Sequence, residues 1–424
     1  MPKASTKHPE RMHVLDFSDF SGGEVYGVAA ESLAMNELQV LTNWEYDTIT
    51  GHPRVVYPFI EYCDVGQAID EVFVNAPDDY MLVACGSSLH KIPFSTGSAT
   101  PVTGTLTGAN VPSFALWDQS PRQVLIASGG QLQSYDGTTL SNVSGAPEAD
   151  IVFVRGPAGR VVVARSMYDK LIYSAVGDVS GWVDDPAIDS TSKEIEVGYK
   201  DSGDIIAVVP MPTDIVVFKS NGHVYRVIGE FPDWVVKENQ NHLESSIISK
   251  HTAIRVANDV MYLGREGFRA LSVTEKYGDM LQHTVSEKVD RYLANMATTA
   301  ARVWYAPSKA QIFINPNGSS GVWILHLATN GAWSHMEFDS PVSQIFEHDG
   351  EIYLVAGQTI YKQATPTESV SGPTAAMKMK RIVFDRDVII KRIVMNLQPV
   401  TRTYGSLLIS GISIPFNTDT LGDI

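Results

Sequence analysis

From about residue 70 onward the chain alternates short apolar runs with brief clusters of Gly, Asn, Asp, Ser and Pro. The runs are rich in Val, Ile, Tyr and Phe, and runs of this kind bounded by turn residues predict β-strands. One two-strand phrase returns along the chain. Its first strand is apolar, a small polar turn follows, and the second strand carries an apolar-aromatic pair. The copies are "MLVACGSSLHKI" from Met81, "VLIASGGQLQSY" from Val124, "VVVARSMYDKLIYS" from Val161 and "IVVFKSNGHVYRV" from Ile215. Three more follow: "VMYLGREGFRAL" from Val260, "IFINPNGSSGVWIL" from Ile312 and "IYLVAGQTIYKQ" from Ile352. A period of about 40–50 residues with about four strands per period is the pattern of propeller blades. Gly129-Gly130 and Asn221-Gly222 fit the tight turns that join such strands. A pair of β-sandwiches also gives many short strands, but it does not require one phrase seven times. The sequence therefore predicts an all-β chain, a β-propeller of about six to eight blades spanning residues 70–364.

Outside that repeat the pattern changes. "HTVSEKVDRYLANMA", His283 to Ala297, puts Val285, Val289, Leu293 and Met296 at helical spacing, with Ser286 as N-cap. This predicts a helical insert near residues 283–297. "TPTESVSGPT", Thr365 to Thr374, reads as a polar linker. Residues 375–424 are expected to form a small C-terminal β unit, or an extra sheet packed on the propeller. Residues 1–69 read as an N-terminal region of different design: a Gly-rich arm, "DFSGGEVYG", a short helix-like run from Asn36, then a β-hairpin running to Val55. That arm and hairpin either dock to another subunit by strand addition, or supply an outer strand that closes the last blade.

Composition narrows the function classes. The 424 residues are 44% hydrophobic and 19% charged, ordinary globular values, and the formal charge is −16. So acidic a chain is not a general polyanion binder. Its basic residues concentrate at the end. From Ala375 onward seven Lys/Arg face four Asp/Glu. Lys378, Lys380 and Arg381, followed by Arg386, Lys391 and Arg392, form a candidate basic contact edge. Such an edge suits an acidic neighbouring subunit better than phosphate, and a solvated sheet face is the plainer alternative. Cys63 and Cys85 are the only cysteines, which gives no disulfide framework and no CxxC metal pair. No stretch approaches the ~18 consecutive apolar residues of a membrane helix, and the first twenty residues lack the apolar core of a signal peptide. The expectation is a chain without an N-terminal export signal and without a membrane span.

A search for chemistry finds little. The chain carries no GxSxG, HExxH, GxxxxGK[ST] or EF-hand loop. His90 and His223 read as strand residues, and His242 and His251 have no Cys or carboxylate at metal spacing. "LATNGAWSH", Leu327 to His335, ends like the Asp-box hairpin of sialidase propellers but lacks its Ser and Asp. The acid pairs Asp78-Asp79 and Asp184-Asp185 sit in turn-like contexts and read as solvated turns rather than catalytic carboxylates. Trp182, Trp234 and Trp333 each follow an apolar strand by a short turn. They read as packing between blades rather than as a sugar-stacking platform. No catalytic residue, cofactor site or metal site is assigned.

Several phrases do fall in a familiar order. "KLIYSAVGDVSGW" from Lys170, "IIAVVPMPTDIVVFKSNGHVYRVIGE" from Ile205 and "SSIISKHTAIRVANDVMYLGREGFRAL" from Ser245 are followed by "VSEKVDRYL" and "ARVWYAPSKAQIFI". Ahead of them stands "FSGGEVYG", then "NELQVLTNWEYDTITGHPRV" with its Gly-x-x-Arg turn. From Phe20 to about Lys362 this order resembles the tail nozzle proteins of short-tailed bacteriophages, also called packaged-DNA stabilisation or tail tubular proteins. The resemblance implies a non-enzymatic structural protein of the virion tail, assembled in the host cytoplasm. It implies a homo-hexameric ring below the portal and its adaptor ring that retains packaged DNA and opens for ejection. Further partners it implies are a tail fibre or spike, a plug or needle, and transient non-specific contact with double-stranded DNA. Phe20, Gly22, Gly23, Trp44 and Arg54 become candidate subunit- or adaptor-docking residues. The alternative is a phage-tail propeller that binds, or cleaves, a receptor glycan.

Overall fold

The computed structural model describes residues 19–156, 159–165, 168–229, 233–238, 247–273, 280–365, 368, 373–382, 404–409 and 412–417. Seven sheets follow one another along the chain, six of four strands and one of seven. We number them as blades 1 to 7. Their innermost strands are Glu71–Asn75, Ser113–Trp117, Ile151–Arg155, Ile205–Pro210, Ala253–Val256, Arg302–Ala306 and Val342–His348. Within each blade the next strands run antiparallel in sequence order, as short turns demand.

The sheets are held in a ring by apolar clusters that lie between neighbours. One cluster joins Leu82 of blade 1 to Val124 of blade 2, another joins Val163 of blade 3 to Leu125 of blade 2, and Val217 of blade 4 packs with Val162 of blade 3. Further clusters join blades 4 and 5, 5 and 6, and 6 and 7. The ring closes where Val355 and Ile360 of blade 7 meet Val72 and Val83 of blade 1. This geometry explains the recurrent phrase. The second strand of a blade has a neighbouring blade against each face, so both sets of its side chains are covered. Tyr80–Cys85, Asp214–Lys219 and Gln311–Asn315 are buried at every position. A strand buried on both faces reads as a continuous apolar run rather than as an alternation. All seven predicted copies begin in a second strand; six end in the third, and the copy from Val161 ends one residue past it.

Closure uses the beginning of the chain. Phe59–Asp64 pairs antiparallel with Thr359–Gln363 and is the fourth strand of blade 7. The propeller therefore takes in residues ahead of position 70, and the boundary drawn at 69 runs past its closing strand. The hairpin Trp44–Tyr46 with Pro53–Val55 forms as expected.

The helix-like run from Asn36 is a correction. Glu37–Thr42 is a strand, paired parallel with Gly23–Glu24 and antiparallel with Ala376–Met379. Its register slips between Leu38 and Val40, so Gln39 is an extra residue in the ladder. Such a bulge turns side chains that would alternate onto one face. Leu38 and Leu41 are both buried although they stand three apart, which is why the spacing imitates a helix. The predicted insert is shorter than 283–297. Met280–Thr284 is the outer strand of blade 5, and the helix spans Asp290–Met296 with Val289, not Ser286, at its N-cap. The Ser286 hydroxyl instead bonds the Phe268 amide at 2.7 Å and the Asp290 carboxylate, tying the helix to blade 5. Of the C-terminal unit, Ala376–Met379 joins the sheet of blade 6, and Tyr404–Ile409 with Ile412–Asn417 forms a two-stranded hairpin. No helix among the described residues is long and apolar enough to cross a membrane.

Candidate functional site

Two regions carry more than packing: the rim of blade 6, where the arm sits, and the mouth of the central axis. The arm strands lie outside Ala332–Glu337, which would otherwise be the outer strand of blade 6. Buried Glu24 holds them there. Its Oε2 accepts from the Leu41 amide at 3.0 Å and lies 2.6 Å from His335 Nδ1, while His335 Nε2 lies 2.8 Å from the Thr42 hydroxyl. Lys288 adds a bond to the Gly22 carbonyl at 2.6 Å and an ion pair with Glu37 at 3.3 Å.

The sequence-selected docking residues all fall in this region and serve contacts within the chain. The Gly22 amide donates to the Asn36 carbonyl at 3.0 Å. Gly23 has φ +66, and a β-carbon there would sit 2.4 Å from the Trp333 nitrogen. Only glycine admits so close a backbone approach. Phe20 packs beside Leu38, Leu41 and Tyr46, and its carbonyl accepts from the Tyr46 hydroxyl. Trp44 is half-buried in the same cluster. Arg54 pairs with Glu45 at 3.0 Å and Asp47 at 3.3 Å and lies over the Tyr57 ring. The basic edge continues this rim. Lys378 is exposed on the added strand, Lys380 donates to the Leu33 carbonyl, and Arg381 pairs with Glu31 at 3.2 Å. Arg386, Lys391 and Arg392 lie outside the described residues.

The second region was not selected from the sequence. A short 3-10 turn, Lys250–Thr252, precedes the inner strand of blade 5. From it Lys250 Nζ reaches across to the carbonyls of Val111 at 2.7 Å and Asp150 at 2.8 Å, which precede the inner strands of blades 2 and 3. Beside it Glu71 of blade 1 pairs with Arg302 of blade 6 at 2.9 Å. His251 Nδ1 stands 3.6 Å from Glu71. Four charged or titratable side chains from three blades thus plug one end of the axis and touch two more. Burial dominates the titration of Glu71, Lys250 and His251. It pushes the Glu71 carboxyl up to about 7 against the pull of Arg302 and Lys250. Burial brings the Lys250 ammonium down to about 8. Burial, reinforced by Arg302 and Lys250, lowers His251 to about 2, so the 3.6 Å approach to Glu71 is not an ion pair. Perturbed groups in such a cluster also mark catalytic sites. Here Lys250 Nζ is bonded to two main-chain carbonyls of other blades, so the arrangement clamps blades across the axis. A lone Lys-His pair in a polar stretch gives no sequence signal for this. Only the ring closure brings Glu71 and Arg302 to it.

The remaining candidates are accounted for locally. Trp333 is fully buried within the blade 5–6 cluster, Trp234 packs on Tyr173 of the neighbouring blade at 5.2 Å, and Trp182 donates to the Val179 carbonyl at 2.7 Å. Asp78 pairs with Arg122 at 2.7 Å and Asp184 with Lys193 at 2.8 Å. His90 is buried in blade 1, where burial lowers its pKa, and His223 meets Glu238 at the surface. His242 lies outside the described residues. Cys63 and Cys85 are buried free thiols, and burial pushes Cys85 up to about 11. Among the described residues no three His, Cys, Asp or Glu side chains are grouped to hold a metal ion.

No protein-family model and no curated protein matches the chain. Among solved structures, the Cps50 (Swd1) β-propeller domain of Myceliophteria thermophila is similar over 73% of this chain and 100% of its own, at 10% identity and TM-score 0.50. YCF48 bound to D1 peptide is similar over 76% of this chain and 98% of its own, at 11% identity and TM-score 0.47. BamB from Moraxella catarrhalis is similar over 72% and 85%, at 10% identity and TM-score 0.46. At these identities the likeness to the Swd1 domain speaks to fold alone, and the fold it speaks to is the β-propeller.

Proposed function

We propose that this chain is a non-enzymatic structural component of a short phage tail, a nozzle subunit. In this reading copies form a ring, a homo-hexamer by the family resemblance, that continues the portal and adaptor channel. The ring retains packaged DNA and opens for ejection, and it offers docking surfaces to a fibre or spike and to a plug or needle. The observation that carries the reading is the order of the phrases from Phe20 to Lys362, the opening arm included. A propeller with an arm laid outside one blade is compatible with it, because such a rim is an added surface that the propeller itself does not need for closure. The charge is compatible too. A formal −16 gives a channel wall that repels the duplex rather than gripping it, so DNA contact is transient and screened by salt. The axial clamp of Lys250, Glu71 and Arg302 means that the DNA path in this reading lies between subunits, not through the propeller's own axis.

The test is negative-stain imaging of the purified protein alone and with its adaptor or portal. Rings with an open centre are the expected result. Single disks that stay separate even with the adaptor present would overturn the nozzle reading and turn attention to glycan arrays, where binding or cleavage of a bacterial polysaccharide would favour the receptor-recognising alternative.

A further inference from the structure

Blade 3 carries an unusual connection. Between its third strand, Lys170–Tyr173, and its fourth, Lys193–Glu196, the chain makes a long excursion. The excursion is pinned from beneath. Buried Arg160 donates to the carbonyls of Ser174 at 3.1 Å, Thr191 at 2.9 Å and Asp189 at 2.6 Å. Buried Lys193 holds Asp184 at 2.8 Å and the Asp185 carbonyl at 2.7 Å. Two buried cations and their bonds fix the base of a loop whose upper side chains nonetheless face solvent. Val183 is 82% exposed and Ile188 47%. Around them stand Asp178, Asp184, Asp185 and Asp189, with no Lys or Arg between residues 175 and 192. A loop held this firmly while displaying branched apolar side chains is a preformed contact surface.

Its complement lies on the same molecule but out of reach. The added edge of blade 6 exposes Lys378, Met379 and Arg381, the last with 70% of its side chain open to solvent. Met35 of the arm is exposed as well. That edge is apolar and basic where the loop is apolar and acidic. Ala376–Met379 is also a short strand whose described pairing is on one side, with Glu37–Thr42. Blades 3 and 6 stand three places apart in a ring of seven, so the two surfaces face away from each other on nearly opposite rims. They cannot meet within one copy. They can meet between copies, and a contact between two different surfaces of identical chains is head-to-tail, the kind that generates a closed ring when its rotation closes.

We propose that the 174–192 loop of one copy docks on the Lys378–Arg381 edge of a second copy. Val183 and Ile188 pack beside Met379, and the loop aspartates face Lys378 and Arg381. The inference rests on the ring reading above and names the contact that makes the ring.

The test is a charge exchange between the two surfaces, followed by analytical ultracentrifugation of the full chain with and without the adaptor. One variant is Val183→Lys with Asp189→Lys; the other is Lys378→Glu with Arg381→Glu. All four side chains are at the surface, so far-UV circular dichroism should match the unaltered protein; Arg381→Glu also gives up the exposed pair with Glu31, so Lys378→Glu alone serves as the control for that loss. Each variant alone should self-associate at least ~10-fold more weakly. Mixed together they should assemble again, alternating, because each junction then pairs opposite charges. A photo-crosslinker at Val183 should map to residues 376–382 of another copy. If the unaltered protein forms rings and both variants do so equally well, the contact is overturned while the ring reading stands. Loss in both variants without recovery on mixing overturns it too, since the two surfaces would then serve separate contacts. If the unaltered protein stays monomeric even with the adaptor, the ring reading fails and the contact with it.

Discussion

Single residues set where the backbone can come close. Gly23 illustrates this best, because two independent costs fall on one position. Its φ of +66 is in the left-handed region, and a β-carbon there would meet the Trp333 nitrogen at 2.4 Å, inside any tolerated contact. Gly66 has a similar φ, +77, but a β-carbon there meets nothing within 4 Å. The comparison separates strain from collision. Gly66→Ala should cost about 1 kcal/mol of stability, the backbone term alone. Gly23→Ala should cost about 3 kcal/mol or more, because the arm must also move off blade 6. Urea unfolding of the two variants side by side checks this. Equal losses would mean that the arm is not seated against Trp333. Glycine in "FSGGEVYG" was marked by the sequence, but what it makes room for was not, since Trp333 lies far away in the chain.

Elements show what a sequence reveals and what it hides. The seven phrases were legible because a second strand packed on both faces must be apolar at every position, as in "YMLVAC" of Tyr80–Cys85. Outer strands were far less legible, because one face meets solvent and the strands are short: Lys193–Glu196 alternates buried and exposed and shows no continuous apolar run. The bulge at Gln39 defeated periodicity outright by giving a strand the apolar spacing of a helix. The closing strand itself was not picked out: the option of closing the last blade was attached to the arm and the hairpin ending at Val55, and nothing in "FIEYCD" says which partner it takes. Its partner is now defined, and so is its weight. Phe59–Asp64 supplies Cys63 to the cluster that joins blade 7 to blade 1. A chain beginning at Val56 should therefore keep the propeller closed although it has lost the arm. A chain beginning at Ile69 should lose cooperative unfolding and expose blade 7 to protease. Limited proteolysis of both checks the prediction, and equal resistance would mean that the ring closes without this strand. The axial cluster was illegible for a different reason: its members come from positions 71, 250, 251 and 302, and only the completed ring assembles them.

At the scale of the whole molecule that cluster makes ring stability depend on pH, and the sign differs from group to group. The Glu71 carboxyl is raised from 4.5 to about 7, so its contribution is complete below about pH 4.5 and is lost as pH rises through 7. The Lys250 ammonium is lowered from 10.5 to about 8, so its contribution is present above 10.5 and lost as pH falls through 8. The His251 ring is lowered from 6.5 to about 2, so its contribution is present above 6.5 and lost progressively below it. Between pH 4.5 and 6.5 Glu71 and His251 therefore act in opposite directions, and the unaltered protein alone cannot separate them. A variant that stays neutral does. His251→Gln keeps a polar side chain at the mouth of the axis but has no proton to gain. The stability of the unaltered protein relative to this variant should be constant from pH 8 to about 7. It should then decline, by about 2 kcal/mol at pH 5, because the unfolded chain's histidine takes up a proton that the buried ring refuses. Glu71 is present in both proteins, so its larger share cancels in the difference. Chemical denaturation at pH 8, 7, 6 and 5 reads that difference directly. A flat difference across the range would show that His251 is not held neutral. The pH dependence of the clamp would then rest on Glu71 and Lys250 alone.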